Sequence, residues 1–362
     1  MIITYLRASS YNTHESCPQQ YFGEYVLGWK GPSNKRADMG TIFHKVMEIL
    51  ALCKKAEQKH KTKIKFDIPV VFNLKDKPGE FNFKSQRDIL REPGTVDIIL
   101  KHIYEYYTNR FNHNIWNNAD LIECSKWIEK ICNTRYYPLN LEIKDTEVHF
   151  DFEITQPWAM YDYEINGEKL EGFLGLKGTI DLILNVEDGI VEILDWKTGA
   201  SRKHWITSKV KELKDFYKDP QLRIYHYAVH KIYPEIHQAI VTINYINAGG
   251  PFTVCFTDED LPETEEMIKR KFEHIKNTQI PNLNKSWKCT KTCFFGQSTF
   301  ENTHVLPIIE KRPYQVTPIG EPMTKCEQIK CVLQHRDMNT VIKNMSSPNH
   351  HFDKYQSPGG HE

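Results

Sequence analysis

Between Gly178 and Gly199 the chain reads GTIDLILNVEDGIVEILDWKTG, and Asp181, Asp195 and Lys197 stand out against their neighbours. Asp181 interrupts one apolar run, while Asp195 and Lys197 close another. Charged groups among Ile, Leu and Val are costly unless something compensates them. Two converging carboxylates could hold a divalent metal ion. A lysine beside them could orient an attacking water and offset negative charge as it develops. The simpler alternative is a surface hairpin with an Asp195–Lys197 salt bridge, but these flanks are too apolar for a solvated hairpin.

Convergence depends on the strands that carry these residues. Gly178 to Val186 and Ile190 to Trp196 are β-branched and apolar on both faces, the pattern of buried strands. Glu187-Asp188-Gly189 suits a three-residue loop with Gly189 in the left-handed conformation. If Val186 faces Ile190, Asp181 faces Asp195, and directly opposed residues hold their Cβ atoms ~5 Å apart. Lys197, two residues beyond Asp195, shares its face, and Trp196 points the other way.

Other segments have to frame this hairpin. Ile42 to Ala56 reads as an amphipathic helix, with Phe43, Val46, Met47, Leu50 and Cys53 on one stripe and His44 beside it. Glu142 to Ile154 alternates: Val148, Phe150, Phe152 and Ile154 lie on one face, Glu147, His149, Asp151 and Glu153 on the other. Asp219-Pro220 opens a helix, with Asp as N-cap and Pro at the first position, and places Gln221 and Tyr225 one turn apart. From about Ser85 to Tyr137, helical periodicity carries Ile103, Tyr106, Tyr107, Phe111, Trp116 and Trp127. At that spacing the aromatics are read as core, not as a base-stacking surface. Lys203 to Lys214 is basic and contains Trp205, which suits either phosphate contacts or a solvated face. A second hairpin spans Ala239–Asn247 and Phe252–Phe256, and Asp260 to Lys276 is a charged helix.

The 362 residues carry no formal net charge, so any grip on nucleic acid must be local. No apolar run reaches membrane-spanning length, and Met1 to Arg7 is too short for a signal peptide. A soluble, intracellular, cytoplasmic protein is expected. Nine scattered cysteines do not make a disulfide framework at this length. The pairs Cys289/Cys293 and Cys326/Cys331 could build a zinc site, or they could be plain thiols. No G-x-x-x-x-G-K-[ST] loop is present, so any motor would be a separate chain.

Asp181 followed by Asp195-Trp196-Lys197 resembles the PD-(D/E)XK nuclease motif, and the nearest branch is similar to the RecB-type nucleases, including AddAB-type and CRISPR-associated exonucleases. Ser16-Cys17-Pro18-Gln19-Gln20-Tyr21-Phe22, Gly40-Thr41-Ile42-Phe43-His44 and Gln221-Leu222-Arg223-Ile224-Tyr225 resemble three further segments of that branch. The resemblance covers residues 9–231 discontinuously. It implies an α/β, restriction-endonuclease-like mixed sheet flanked by helices, with a helical insertion. The expected layout is an N-terminal part over 1–60, the insertion over 61–140, a catalytic core over 141–257, a helix and cysteine segment over 258–335, and a disordered polar tail over 336–362. The implied activity is metal-dependent hydrolysis of DNA, as an exonuclease in processing, repair or recombination, alongside a helicase or recombination protein on another chain. A catalytically inactive DNA-binding module and a structure-specific endonuclease remain as alternatives.

By the same resemblance, His44, Asp181 and Asp195 hold Mg²⁺ or Mn²⁺, Lys197 orients the nucleophile, and Gln221 and Tyr225 fix substrate and water. A glutamate on the preceding strand completes the catalytic set. Glu147 is the best match, with Glu153 and Glu142 as competitors. The branch also joins an N-terminal cysteine to three C-terminal ones around a [4Fe–4S] cluster. Cys17, Cys289 and Cys293 partly fit, but the next cysteine, Cys326, comes later than in the family pattern. Iron–sulfur, zinc and plain thiols therefore all stay open for Cys17, Cys289, Cys293, Cys326 and Cys331.

Overall fold

The computed structural model describes residues 1–32, 35–60, 70–73, 78–81, 93–111, 117–165, 167–199, 209–300, 323–348 and 350. In chain order the first elements are β1 (Tyr5–Leu6), α1 (Ala8–Ser16), α2 (Pro18–Tyr21), α3 (Lys35–His60), β2 (Val70–Asn73), β3 (Pro78–Phe81), α4 (Pro93–Phe111) and α5 (Asn118–Cys132). Next come β4 (Ile143–Glu153), β5 (Met160–Ile165), β6 (Glu168–Phe173), β7 (Gly175–Glu187), β8 (Ile190–Lys197), α6 (Leu213–Phe216), α7 (Pro220–Ile232), β9 (Gln238–Tyr245) and β10 (Phe252–Thr257). The chain continues with α8 (Leu261–Asn277), α9 (Trp287–Lys291), α10 (Phe294–Gln297), α11 (Lys325–His335) and α12 (Met338–Met345). Two compact units result, each discontinuous in sequence: Met1–Pro32 with Phe150–Gly178 and Pro262–Glu362, and Ser33–His149 with Thr179–Leu261. The expected 1–60 piece is thus divided between them.

The unit containing the hairpin is α/β. Its sheet is mixed: β7 and β8 are antiparallel, β8 and β9 parallel, β9 and β10 antiparallel, and β4 pairs with β7. The register Leu182↔Leu194 through Asn185↔Val191 is the one that sets Asp181 opposite Asp195 one step further on. The turn differs from expectation. Glu187 pairs with Ile190 across Asp188-Gly189, and Val186 is the extra residue at a shift in register. A two-residue turn matches the twist of antiparallel strands better than an open loop, and the bulge absorbs the odd residue. Gly189 takes a φ of 73°, and a Cβ there would come within 2.2 Å of the His237 ring.

Helices pack against the sheet because of their apolar stripes. In α3, Phe43, Val46, Met47 and Leu50 are fully buried, and fully burying a side chain of this size is worth about 1.5–3 kcal/mol. The helix is longer at both ends than the stripe predicts. Ile103, Tyr107 and Trp127 of α4 and α5 join the same core, together with Ile143, Leu182, Leu184, Leu194 and Trp196. Their burial supports the core reading of these aromatics. Trp116, the Phe111 side chain, Lys203 and Trp205 lie outside the described residues.

In the other unit, β1 runs parallel to the first residues of β7, β5 and β6 form a hairpin, and α8 buries Ile268, Phe272 and Ile275. The polar tail expected from 336 onward begins instead with α12. Its Val341, Ile342 and Met345 form a short buried stripe that supplies the hydrophobic drive an isolated polar tail would lack. Residues 351–362 lie outside the described ones. Among the described residues no helix is long and apolar enough to cross a membrane.

Candidate active site

His44, Glu147 and Asp181 come together from α3, β4 and β7. One ligand atom from each lies within 4.8 Å of the others. Asp181 Oδ2 is 3.3 Å from His44 Nδ1 and accepts the Trp196 N–H at 2.9 Å, which locks that carboxylate to the neighbouring strand. Helix α3 can lie close to the end of β8 because residue 40 is glycine: a Cβ there would sit 3.0 Å from Thr198 Oγ1. The three groups line a cleft of about 380 Å³ with Ala37, Gly40, Thr41, Thr179 and Thr198.

Glu147 reaches this cleft through an irregularity. Its φ is 49°, in the left-handed region that non-glycine residues rarely occupy. One left-handed residue within a strand can re-aim a side chain, as at a β-bulge. Such a conformation costs about 1–3 kcal/mol and characteristically persists where function requires it. The competitors are placed elsewhere: Glu142 is exposed, and Glu153 belongs to the other unit.

Asp195 lies deeper, with only 1% of its surface exposed. Lys197 Nζ is 2.7 Å from its Oδ2. Gln221 Nε2 donates to its Oδ1 at 2.9 Å, and the Tyr225 hydroxyl approaches the same oxygen at 3.4 Å. Gln221 also donates to Tyr225 at 2.7 Å, so α7 presents both residues as one unit. Asp195 was expected to share a metal with His44 and Asp181. The structure turns its carboxylate toward Lys197, Gln221 and Tyr225, and groups Glu147 with the other two.

The electrostatics follow from crowding buried acids. Burial, the charge of Asp181 and that of Glu48 push Glu147 up to about 7. Burial also pushes Asp195 up to about 6; Lys197 opposes this and the neighbouring Asp181 adds to it. Burial alone would raise Asp181 as well, but His44, Lys197 and the Trp196 N–H outweigh it and hold this carboxyl low. For His44, burial disfavours the imidazolium, yet Asp181 and Asp195 win and raise its pKa.

Two oxygen donors and one imidazole nitrogen suit Mg²⁺ or Mn²⁺, and the repulsion from Asp181 that helps raise Glu147 is what a cation would relieve. A pH dependence follows. Glu147 holds its proton more tightly folded than unfolded, so its contribution to stability is present at low pH and lost as pH rises through its folded value near 7. A cation binds the deprotonated form. Mn²⁺ should therefore raise the melting temperature more at pH 8 than at pH 6, and Glu147→Gln should shrink that difference. Thermal melts across a Mn²⁺ titration decide this, and an equal shift at both pH values removes Glu147 from the ligand set.

In the other unit Cys17, Cys289, Cys293 and Cys326 gather. The Cys293–Cys326 hydrogen bond holds the Cys293 thiol down at about 6 and pushes Cys326 up, and Cys326 also responds to Cys17 and Cys289. Buried Gln19 donates to the Cys326 carbonyl, tying the Cys17 segment to α11. Cys331 lies more than a turn further along α11 and is half-buried.

Sequence reasoning did not single out three groups around the active site. Buried Glu48 is ion-paired with Lys45 and acts on Glu147. The sequence marks Asp219 only as a helix cap and Lys211 only as one of several basic residues. The Glu48 signal was available, since it follows His44 by one helical turn. The Lys211–Asp219 pairing has no sequence signal, because it depends on how the connection before α7 folds back.

Among curated proteins no sequence matches the chain. The crystal structure of a candidate exonuclease from Eubacterium rectale aligns with 85% of this chain and 94% of its own, at 12% identity and a TM-score of 0.40. The crystal structure of SSO0001 aligns with 54% of this chain and 77% of its own, at 14% identity and a TM-score of 0.24. The family model of the PD-(D/E)XK nuclease superfamily matches residues 6–297. That match takes in the acidic hairpin, the restriction-endonuclease-like mixed sheet around it and the helices carrying His44 and Gln221, and the chain belongs to the PD-(D/E)XK nuclease superfamily.

Proposed function

We propose that this nuclease hydrolyses DNA phosphodiester bonds with a divalent metal ion, working from strand ends as an exonuclease in repair or recombination. The observation that carries the reading is the convergence of His44, Glu147 and Asp181 beside the Asp195–Lys197 pair. His44, Glu147 and Asp181 would hold Mg²⁺ or Mn²⁺, with Asp195 buried beside that set. The ion, when bound, supplies Lewis acidity at the scissile phosphate. Lys197 holds the attacking water in line and offsets negative charge as the phosphorane forms. Gln221 and Tyr225 hold the Asp195 carboxylate in one rotamer, which fixes where Lys197 points.

The test is a digest of end-labelled linear and closed circular DNA with Mg²⁺, Mn²⁺ or EDTA, with Asp195→Ala as control. Metal-dependent shortening of linear DNA alone is expected. Cutting of the circle would instead favour an endonuclease. Binding without cleavage in either metal would leave a DNA-binding module.

We further propose that Cys17, Cys289, Cys293 and Cys326 form a metal centre. Four thiols with one already biased toward thiolate are a soft donor set, suited to zinc or to iron–sulfur. Anaerobic purification followed by metal and sulfide analysis distinguishes the two. Cys326→Ser should lose the metal and Cys331→Ser should keep it; protein without either metal would make these plain thiols.

A further inference from the structure

The structure assigns Lys211 a positioning role: its ion pair with Asp219 sets the start of α7, and through it the aim of Gln221 and Tyr225 at Asp195. This rests on the active-site reading above. Lys211 Nζ lies 2.6 Å from Asp219 Oδ2, and the two side chains are 18% and 8% exposed, so the pair is largely withdrawn from water. The same Asp219 accepts the Gln221 N–H through Oδ1 at 2.9 Å, as the N-cap of α7. One carboxylate thus uses one oxygen for the helix and the other for Lys211. Gln221 then donates to Asp195 Oδ1 and to Tyr225. The contacts run without a gap from Lys211 through Asp219, Gln221 and Asp195 to Lys197.

Lys211 is anchored on its own side. Its ammonium lies 5.7 Å from the ring centre of Phe216, which is fully buried on α6. Arg223, one turn along α7, donates from Nε to the Tyr217 carbonyl at 2.7 Å and ties the same connection to the helix a second time. A charge held this way is committed to the protein and is not offered to a phosphate backbone. Removing one partner of a buried pair leaves the other uncompensated. Asp219 would then rotate toward water, and the first turn of α7 would lose its cap together with its fixed direction.

The test uses the full chain with Lys211→Met and Lys211→Arg. Cleavage of linear DNA is followed for kcat and KM, and amide hydrogen exchange is measured over residues 219–226 in EDTA without DNA. Lys211→Met should lower kcat about tenfold or more, with KM within twofold, and should speed exchange at the start of α7. Lys211→Arg should restore both, since it keeps the ion pair. A Lys211→Met effect confined to KM and to its salt dependence would make Lys211 a phosphate contact and overturn the proposal. Unchanged exchange would overturn it too. If wild type cuts no DNA in any metal, the nuclease reading fails, and the exchange measurement still decides whether Lys211 positions α7.

Discussion

Asp181→Asn should lower cleavage by at least about 10²–10³-fold, the loss typical when one preorganised stabilising group is removed, while the protein stays folded and binds linear DNA more tightly in EDTA. Asparagine keeps a carbonyl oxygen that can accept the Trp196 N–H, so the strand contact survives. What disappears is the negative charge facing His44, and with it a donor to the metal. In wild type without metal, that charge repels the scissile phosphate. Removing it should raise affinity at low salt, and the gain should fade as salt rises. Fluorescence anisotropy across a salt series, run beside a cleavage gel, reads both effects. Cleavage within a few-fold of wild type would take Asp181 out of the site. A pure binding module has no reason to set acids against a phosphate, so its affinity should ignore the change.

The largest expected effect on stability is at Trp196. This residue is 2% exposed and packs edge-on near Phe43 and His44, with ring centres 6.4 Å away in both cases. Trp196→Ala should cost about 3–5 kcal/mol through lost burial and the cavity left behind. Trp196→Phe should cost far less than that. Among the described residues the buried indole N–H has no hydrogen-bond partner, so losing it removes an unmet polar group as well as some volume. Urea unfolding of the two variants measures the difference. A Phe variant as unstable as the Ala variant would mean the indole nitrogen is satisfied after all.

Much of the fold and part of the site can be read without coordinates, and the division follows the range of the interactions. The pairing of β7 with β8 is local: a short turn and two apolar runs leave one register that buries Leu182, Leu184, Leu194 and Trp196 together. The start of α7 is equally local, because Asp219 and Pro220 carry the N-terminal signal themselves. The left-handed backbone at Glu147 has no local signal, because glutamate carries no preference for that conformation. The orientation of Asp195 was not visible, since it depends on where α7 docks. Nor does spacing alone choose between Cys326 and Cys331. The choice depends on which face of α11 meets the Cys17 segment, where Gln19 fixes it.

The extra residue at Val186 bears on how this chain can tolerate change in length. Val186 is 45% exposed and sits at the turn end of the hairpin, five positions from Asp181. The pairs from Asn185↔Val191 to Leu182↔Leu194 are undisturbed by it. The hairpin therefore already accommodates one surplus residue at the end away from its acids. A further insertion or deletion beside Asp188 can be taken up in the same place. One between Asp181 and Leu184 has no such outlet and would rotate the acid onto the helix-packed face. Related chains should vary in length at the tip of this hairpin and hold it constant along the arms.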